Sequence, residues 1–280
     1  MFGKFRHVKR SKPNPLWSVI GKSVTGAAHL RHDKPCQDAI LWQETNNAIV
    51  LAVADGHGSE RSPYSDKGAR FAVEVAVEVL SELYNNFAPE RLSILKHYAE
   101  EQLASLLVRR WIEQVKSDIT SVGKLQAEEE PSLIEYGSTL LAALLTPNFL
   151  LFLQIGDGDI LVVEDERVVE RPIPKDERLI ANETTSLSMP YAWREMQIAF
   201  WPVRVDSPRL VMLSTDGYAN SFVSQQDFLK AAVDYLGLIQ QHGTEWVDAH
   251  LEEWLNDASM RGSGDDITVG LAFRKHQMRS

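Results

Sequence analysis

Residues 138–155 read Ser-Thr-Leu-Leu-Ala-Ala-Leu-Leu-Thr-Pro-Asn-Phe-Leu-Leu-Phe-Leu-Gln-Ile, the longest uncharged run of the chain. On length alone such a run could cross a bilayer as a helix. Thr146-Pro147-Asn148 falls in its middle, and those residues carry turn chemistry rather than helix chemistry. Two apolar strands joined by a tight turn fit better, so no membrane span is expected. Similar short apolar runs recur at 17–21, 39–43, 48–54, 160–163, 198–201, 210–215 and 267–273, with 168–170 a shorter candidate. Neighbouring runs joined by short turns pair mostly antiparallel.

Between these runs lie helical segments. Val73, Val75, Val77 and Val79 alternate as a strand would, yet Phe71, Val75, Val79 and Leu83 form an i+4 row. The segment spans roughly twenty residues, which decides for a helix. Pro89 precedes a second helix, in which Leu92, Leu95, Ala99, Leu103 and Leu106 step by three or four, running to residue 119. Residues 224–236 and 244–257 read as two more. Two groups of strands, each followed by two helices, predict an α+β fold with two layers of sheet covered by helices.

The chain has 280 residues and no long low-complexity stretch, which predicts one large domain over 16–275. A basic arm at 1–15 (Lys4, Arg6, Lys9, Arg10, Lys12) precedes it, and a tail at 276–280 follows. No apolar segment follows the arm, so it is not a secretory signal. Residues 128–131 read as a loop. Residues 172–195, with their prolines and weak periodicity, read as a surface insertion near the functional site. The net charge of −10 argues against a nucleic-acid partner, which would need clustered Lys and Arg. Cys36 is the only cysteine, which excludes an intramolecular disulfide and a Cys-based zinc site and suits a reducing cytoplasm. No dedicated base stands near it in sequence, so it reads as structural.

The informative residues are aspartates at strand ends. Asp38 precedes the run at 39–43, Asp55 closes 48–54, Asp216 closes 210–215, and Asp265 with Asp266 precedes 267–273. A carboxylate at a strand end sits on the rim of the core. Several rims meeting at one place gather negative charge that cations stabilise, and hard divalent ions take such oxygen ligands.

Six motifs occur in order: Gln37-Asp38-Ala39, Val53-Ala54-Asp55-Gly56-His57-Gly58, Gly137-Ser138-Thr139, Gly156-Asp157-Gly158-Asp159, Leu213-Ser214-Thr215-Asp216-Gly217 and Gly264-Asp265-Asp266-Ile267-Thr268-Val269. Each alone is weak. Together they resemble the metal-dependent protein phosphatases of type 2C, over residue 26 to about residue 273. His29 and Pro35-Cys36-Gln37-Asp38 resemble a bacterial branch of that family. The resemblance implies a four-layer α/β/β/α sandwich of two mainly antiparallel sheets flanked by helix pairs. It also implies two Mg²⁺ or Mn²⁺ ions at one end of the sandwich. By matched position, Asp55 bridges the ions, the Gly56 carbonyl holds the second, and Asp216 with Asp265 holds the first. Asp38 orients metal-bound water or binds directly, Asp157 is a candidate ligand for a third ion, and His57 is the proposed general acid. Gly137, Ser138 and Thr139 match a strand start that supports the site. The implied reaction is hydrolysis of phosphoserine or phosphothreonine in proteins by in-line attack of a metal-bridging water, without a phosphoenzyme. The implied partners are a phosphoprotein substrate and a cognate Ser/Thr kinase.

Three positions depart from the family pattern. Asp33 stands where many relatives carry a phosphate-binding arginine, which leaves Arg31, Lys34, Arg61 or metal-bound water to hold the phosphate, with Arg31 the first candidate. Gln37 replaces a frequent glutamate, and Asp266 a frequent asparagine. The alternative function is a non-catalytic metal-binding regulatory module on the same fold. A metal-dependent nuclease is a third reading, disfavoured by the acidic charge.

Overall fold

In a computed structural model, which describes residues 16–45, 47–86, 91–121, 132–165, 168–175, 184–203 and 208–275, the apolar runs form two five-stranded sheets. The strands in chain order are Trp17–Val24 (β1), Ala39–Thr45 (β2), Ala48–Ala54 (β3), Leu140–Leu145 (β4), Phe149–Ile155 (β5), Asp159–Val163 (β6), Val169–Glu170 (β7), Gln197–Pro202 (β8), Leu210–Ser214 (β9) and Ile267–Arg274 (β10). The helices are Ala27–Leu30 (α1), Ser65–Asn86 (α2), Leu92–Tyr98 (α3), Ala104–Ser121 (α4), Ala192–Glu195 (α5), Asp216–Ala219 (α6), Gln225–His242 (α7) and Thr244–Arg261 (α8). One sheet has the order β1-β10-β9-β6-β7 and the other β2-β3-β4-β5-β8. Every pairing in both is antiparallel. The expected hairpin across Thr146-Pro147-Asn148 is present. Thr146 Oγ1 accepts from the backbone N–H of Asn148 and Phe149, which closes the turn.

The side-chain alternation of the strands explains the layering. In β3, Ile49, Leu51 and Val53 face the other sheet, while Val50, Ala52 and Ala54 face helices α2 and α4. In β9, Val211 and Leu213 join the core between the sheets, and Leu210 and Met212 pack under α7 and α8. Strands buried on both faces need continuous apolar sequence, which is what these runs supply. The α+β sandwich expected from the resemblance is thus the observed architecture.

One expected element is different. The helix expected from residue 92 to 119 is α3 and α4 joined by a π-helical turn at Ala99–Leu103. Its buried row runs Leu95, Ala99, Leu103, Leu107, Trp111, Val115, Ile119, strictly every fourth residue. On an α-helix that spacing drifts by about 40° per step, and the extra residue of a π turn rotates the row back by about 100°. The arm at 1–15, the loop at 128–131, the tail at 276–280 and positions 176–183 of the expected insertion lie outside the described residues.

Candidate metal centre

Antiparallel pairing carries the strand-end aspartates to one end of the sandwich. Ala39 at the start of β2 pairs with Ala54 at the end of β3, so Asp38 and Asp55 leave their sheet side by side. Ile155 at the end of β5 pairs with Leu140 at the start of β4, which puts Asp157 at the same edge. In the second sheet Ser214 at the end of β9 pairs with Asp159 on one side and Val269 on the other. Asp216 and Asp265 therefore leave at that end too. Hydrogen bonds join the two sheets there: Thr215 Oγ1 donates to Asp38 Oδ2 at 2.8 Å, and Gln37 N donates to Asp266 Oδ2 at 2.7 Å.

The backbone around Asp55 is held from both sides. Its N–H donates to Thr139 Oγ1 at 2.9 Å, and its carbonyl accepts from Thr139 N at 2.8 Å. Gly56 N donates to Gln37 O at 3.1 Å. A Cβ on Gly56 would lie 2.6 Å from Ser65 O and 2.7 Å from Gln37 O, so only glycine lets these three segments meet. His57 N donates to Gly137 O at 3.0 Å, and a Cβ on Gly137 would strike the His57 ring. The Gly137-Ser138-Thr139 segment thus supports the Asp55–His57 loop directly, as its matched position implied.

Crowding governs the electrostatics. Burial pushes the Asp38 carboxyl up to about 8, against hydrogen bonds from the Thr268 and Thr215 hydroxyls and with added repulsion from Asp266 and Asp216. Burial also holds Asp55 well above the usual carboxylate range, reinforced by Asp38, Asp216 and Asp265. Asp216 rises to about 6 through burial, then through the charges of Asp157 and Asp265, while a hydrogen bond with Asp55 works the other way. His57 is shifted down by burial, opposed by Asp157. The structure therefore places Asp38, Asp55, Asp157, Asp216, Asp265 and His57 within one electrostatic neighbourhood. Asp265 is the exposed member, and its Oδ1 accepts from Asp266 N at 2.9 Å.

Among the described residues, no three His, Cys, Asp or Glu side chains already close around one point tightly enough to hold an ion. The chemistry of the set nevertheless fits hard divalent cations. All the donors are oxygens, Asp38 Oδ1 is buried with no hydrogen-bond partner, and the carboxylates repel one another in a desolvated place. Cations there would offset the repulsion that, together with burial, raises the proton affinities of Asp38, Asp55 and Asp216.

The family model for protein phosphatase 2C matches residues 25–256. The chain belongs to the protein phosphatase 2C family. It is 25% identical over 151 residues to serine/threonine-protein phosphatase 3 of Escherichia coli (strain K12), covering 52% of this chain and 53% of that protein. The chain thus spans about half the length of this curated relative. A crystal structure of a bacterial serine phosphatase shares the fold with a TM-score of 0.62 at 16% identity, over 93% of this chain and 98% of that one. The catalytic domain of serine threonine protein phosphatase PstP, solved in complex with two manganese ions, gives 0.55 at 16% identity, over 92% and 97%.

Other side chains of this family member take places that the motifs did not foretell. Thr215 reads as an ordinary strand former, yet its hydroxyl donates to Asp38 Oδ2 and accepts from Thr268 N at 2.9 Å. Gln154 donates from Nε2 to Gly158 O at 2.9 Å, and Thr185 Oγ1 accepts from Gly156 N at 2.9 Å. Together they hold the turn carrying Asp157, where Gly156 has φ +106°. Asp159 belongs to the same motif but serves the fold: it is buried and paired with Arg171 Nε at 2.6 Å and Lys175 Nζ at 3.3 Å. Asp266 is a bracket, whose oxygens accept from Gly26 N at 2.6 Å and Gln37 N at 2.7 Å. Arg31 is exposed at the end of α1, with Nε donating to Ala27 O at 3.0 Å. Cys36 is half-buried, with Sγ 3.4 Å from Ser23 Oγ, and its thiol is pushed up to about 12, chiefly by burial and then by Asp38.

Proposed function

We propose that this protein is a metal-dependent serine/threonine protein phosphatase. The observation that carries the reading is the half-buried, mutually repelling group of Asp38, Asp55 and Asp216 at the common end of both sheets. Family membership and a structural neighbour solved with two manganese ions support the same reading. Asp55, the Gly56 carbonyl, Asp216 and Asp265 are the proposed ligands of two Mg²⁺ or Mn²⁺ ions, and Asp157 that of a third. When bound, such ions offset charge on the phosphoryl group and make water acidic enough to attack near neutral pH.

The chain's own groups do the rest. Asp38, held at Oδ2 by the Thr215 hydroxyl, accepts a hydrogen bond from the attacking water with the oxygen left free and so sets its direction. His57, anchored to Gly137, holds the proton for the departing serine or threonine oxygen. Attack is in line, with no phosphoenzyme. Arg31 is a proposed phosphate contact through its outer guanidinium nitrogens. A phosphoprotein substrate and a Ser/Thr kinase that makes it are the proposed partners, in the cytoplasm. Among the described residues no helix is long and apolar enough to cross a membrane.

Purified protein with Mn²⁺ should hydrolyse a phosphoserine peptide, and EDTA or Asp55→Asn should each abolish this. Tight Mn²⁺ binding with no turnover on any phosphoester would assign a regulatory module instead. Full activity of the Asp55→Asn protein would refute the ligand set.

A further inference from the structure

Helix α1 holds a histidine that this reading leaves unused. His29 Nδ1 lies 3.0 Å from Asp266 Oδ1. The Asp266 side chain is 4% exposed and cannot swing, because its two oxygens also accept from Gly26 N and Gln37 N. The carboxylate stands beside Nδ1 without forming a hydrogen bond of good geometry, and the opposite nitrogen is left for a ligand. That nitrogen, Nε2, faces the Asp55-Gly56-His57-Gly58 loop: it would be 3.6 Å from a Cβ on Gly58. Gln37 Oε1 would be 3.0 Å from the same point, and it is buried without a hydrogen-bond partner. Two polar atoms from separate segments thus converge on a place that Gly58 keeps free of side chain, three residues past Asp55. The imidazole side chain is 15% exposed, so its outer edge can still be reached.

We infer that His29 contacts the phosphoryl group of the substrate through Nε2, with Asp266 as its positioning residue. The inference rests on the phosphatase reading and deepens it by naming a contact for the phosphate. A phosphate ester arriving at an acidic site needs a hydrogen-bond donor from the protein as well as cations. Nε2–H would donate to a phosphoryl oxygen, with Nδ1 turned toward the Asp266 carboxylate. No covalent bond is made or broken. Arg31, two residues on, is exposed with its Nε held by Ala27 O, so His29 is the enclosed donor of this turn and Arg31 the exposed one.

The test is inorganic phosphate, measured both as a competitive inhibitor and as a ligand by calorimetry of the Mg²⁺-loaded protein. His29→Gln should weaken phosphate binding about ten- to hundredfold, the range for a hydrogen bond to a charged group. It should raise KM with a smaller change in kcat, while melting temperature and Mg²⁺ affinity stay at wild-type values. Asp266→Asn should shift phosphate binding the same way. In wild-type protein, adding phosphate should move the ¹⁵N resonance of His29 Nε2, a reading that needs no variant. Unchanged phosphate affinity in His29→Gln, or an Nε2 signal indifferent to phosphate, overturns the inference. Should the wild type turn over no phosphoester at all, the phosphatase reading falls, and phosphate binding still decides the place of His29.

Discussion

Without divalent cations, the stability of this protein should fall as pH rises from 5 to 8. Asp216 moves from 3.8 to about 6 in the fold, and Asp38 from 3.8 to about 8. A folded carboxyl with raised affinity keeps a proton that the unfolded chain has already released. Its stabilising contribution is therefore complete below pH ~4 and is lost as pH climbs through ~6 for Asp216 and ~8 for Asp38. Each tenfold change in proton affinity corresponds to about 1.4 kcal/mol; Asp216 loses about 3 kcal/mol in all, of which about 1.4 kcal/mol falls above pH 5, and Asp38 loses most of its share between pH 5 and 8. Asp38 repels the same neighbours, so the two contributions overlap and the cluster as a whole sums to about 3–5 kcal/mol. For a domain of this size 1 kcal/mol moves the melting temperature by about 2–4 °C, which gives a fall of roughly 6–20 °C between pH 5 and pH 8. Saturating Mn²⁺ should flatten that slope and raise the pH 8 melting temperature by at least as much. Calorimetric melts of EDTA-treated protein, with and without added Mn²⁺, measure both. A metal-free melting temperature that holds steady or rises toward pH 8 would refute the crowded-carboxylate picture.

Three substitutions probe other parts of the structure. Asp159→Asn leaves Arg171 half-buried without its counter-charge and should cost about 3 kcal/mol, seen as a melting temperature about 6–12 °C lower with turnover retained in the cold; a loss of turnover without a loss of stability would place Asp159 in the chemistry instead. Thr215→Val removes the hydroxyl that ties Asp38 to the opposite sheet and should lower kcat about tenfold, with Thr215→Ser recovering most of it; wild-type kinetics in the valine variant would dismiss that tie. His57→Gln should slow phosphoserine hydrolysis about 100-fold or more while sparing an aryl phosphate whose leaving group needs no proton; equal losses on both substrates would exclude His57 as the proton donor.

What could be read in advance was what local pattern controls. The run at 48–54 is apolar throughout because β3 is covered by helices on one face and by the other sheet on the opposite one. Pro147 settled two strands against one helix because a turn there leaves no continuous span. Asp55 and Asp216 stood out because each ends such a run. What stayed hidden depends on partners far away in the chain. Gly26 and Asp266 bond across 240 residues, Thr215 and Asp38 across 177, and neither pairing leaves a periodic trace. Asp157 and Asp159 share one motif and differ only in surroundings. One lies near Asp216 and His57, while the other lies beneath Arg171 and Lys175. The π turn at Ala99–Leu103 also escaped notice, since spacing of four resembles an ordinary helix until the drift is followed over several turns.

Cys36 has a practical outcome for the cell. A thiol pushed up to about 12 stays protonated, and a protonated sulfur reacts sluggishly with peroxide and alkylating agents. The chain has no other cysteine. Turnover by the proposed phosphatase should therefore persist at peroxide levels that silence phosphatases working through a thiolate.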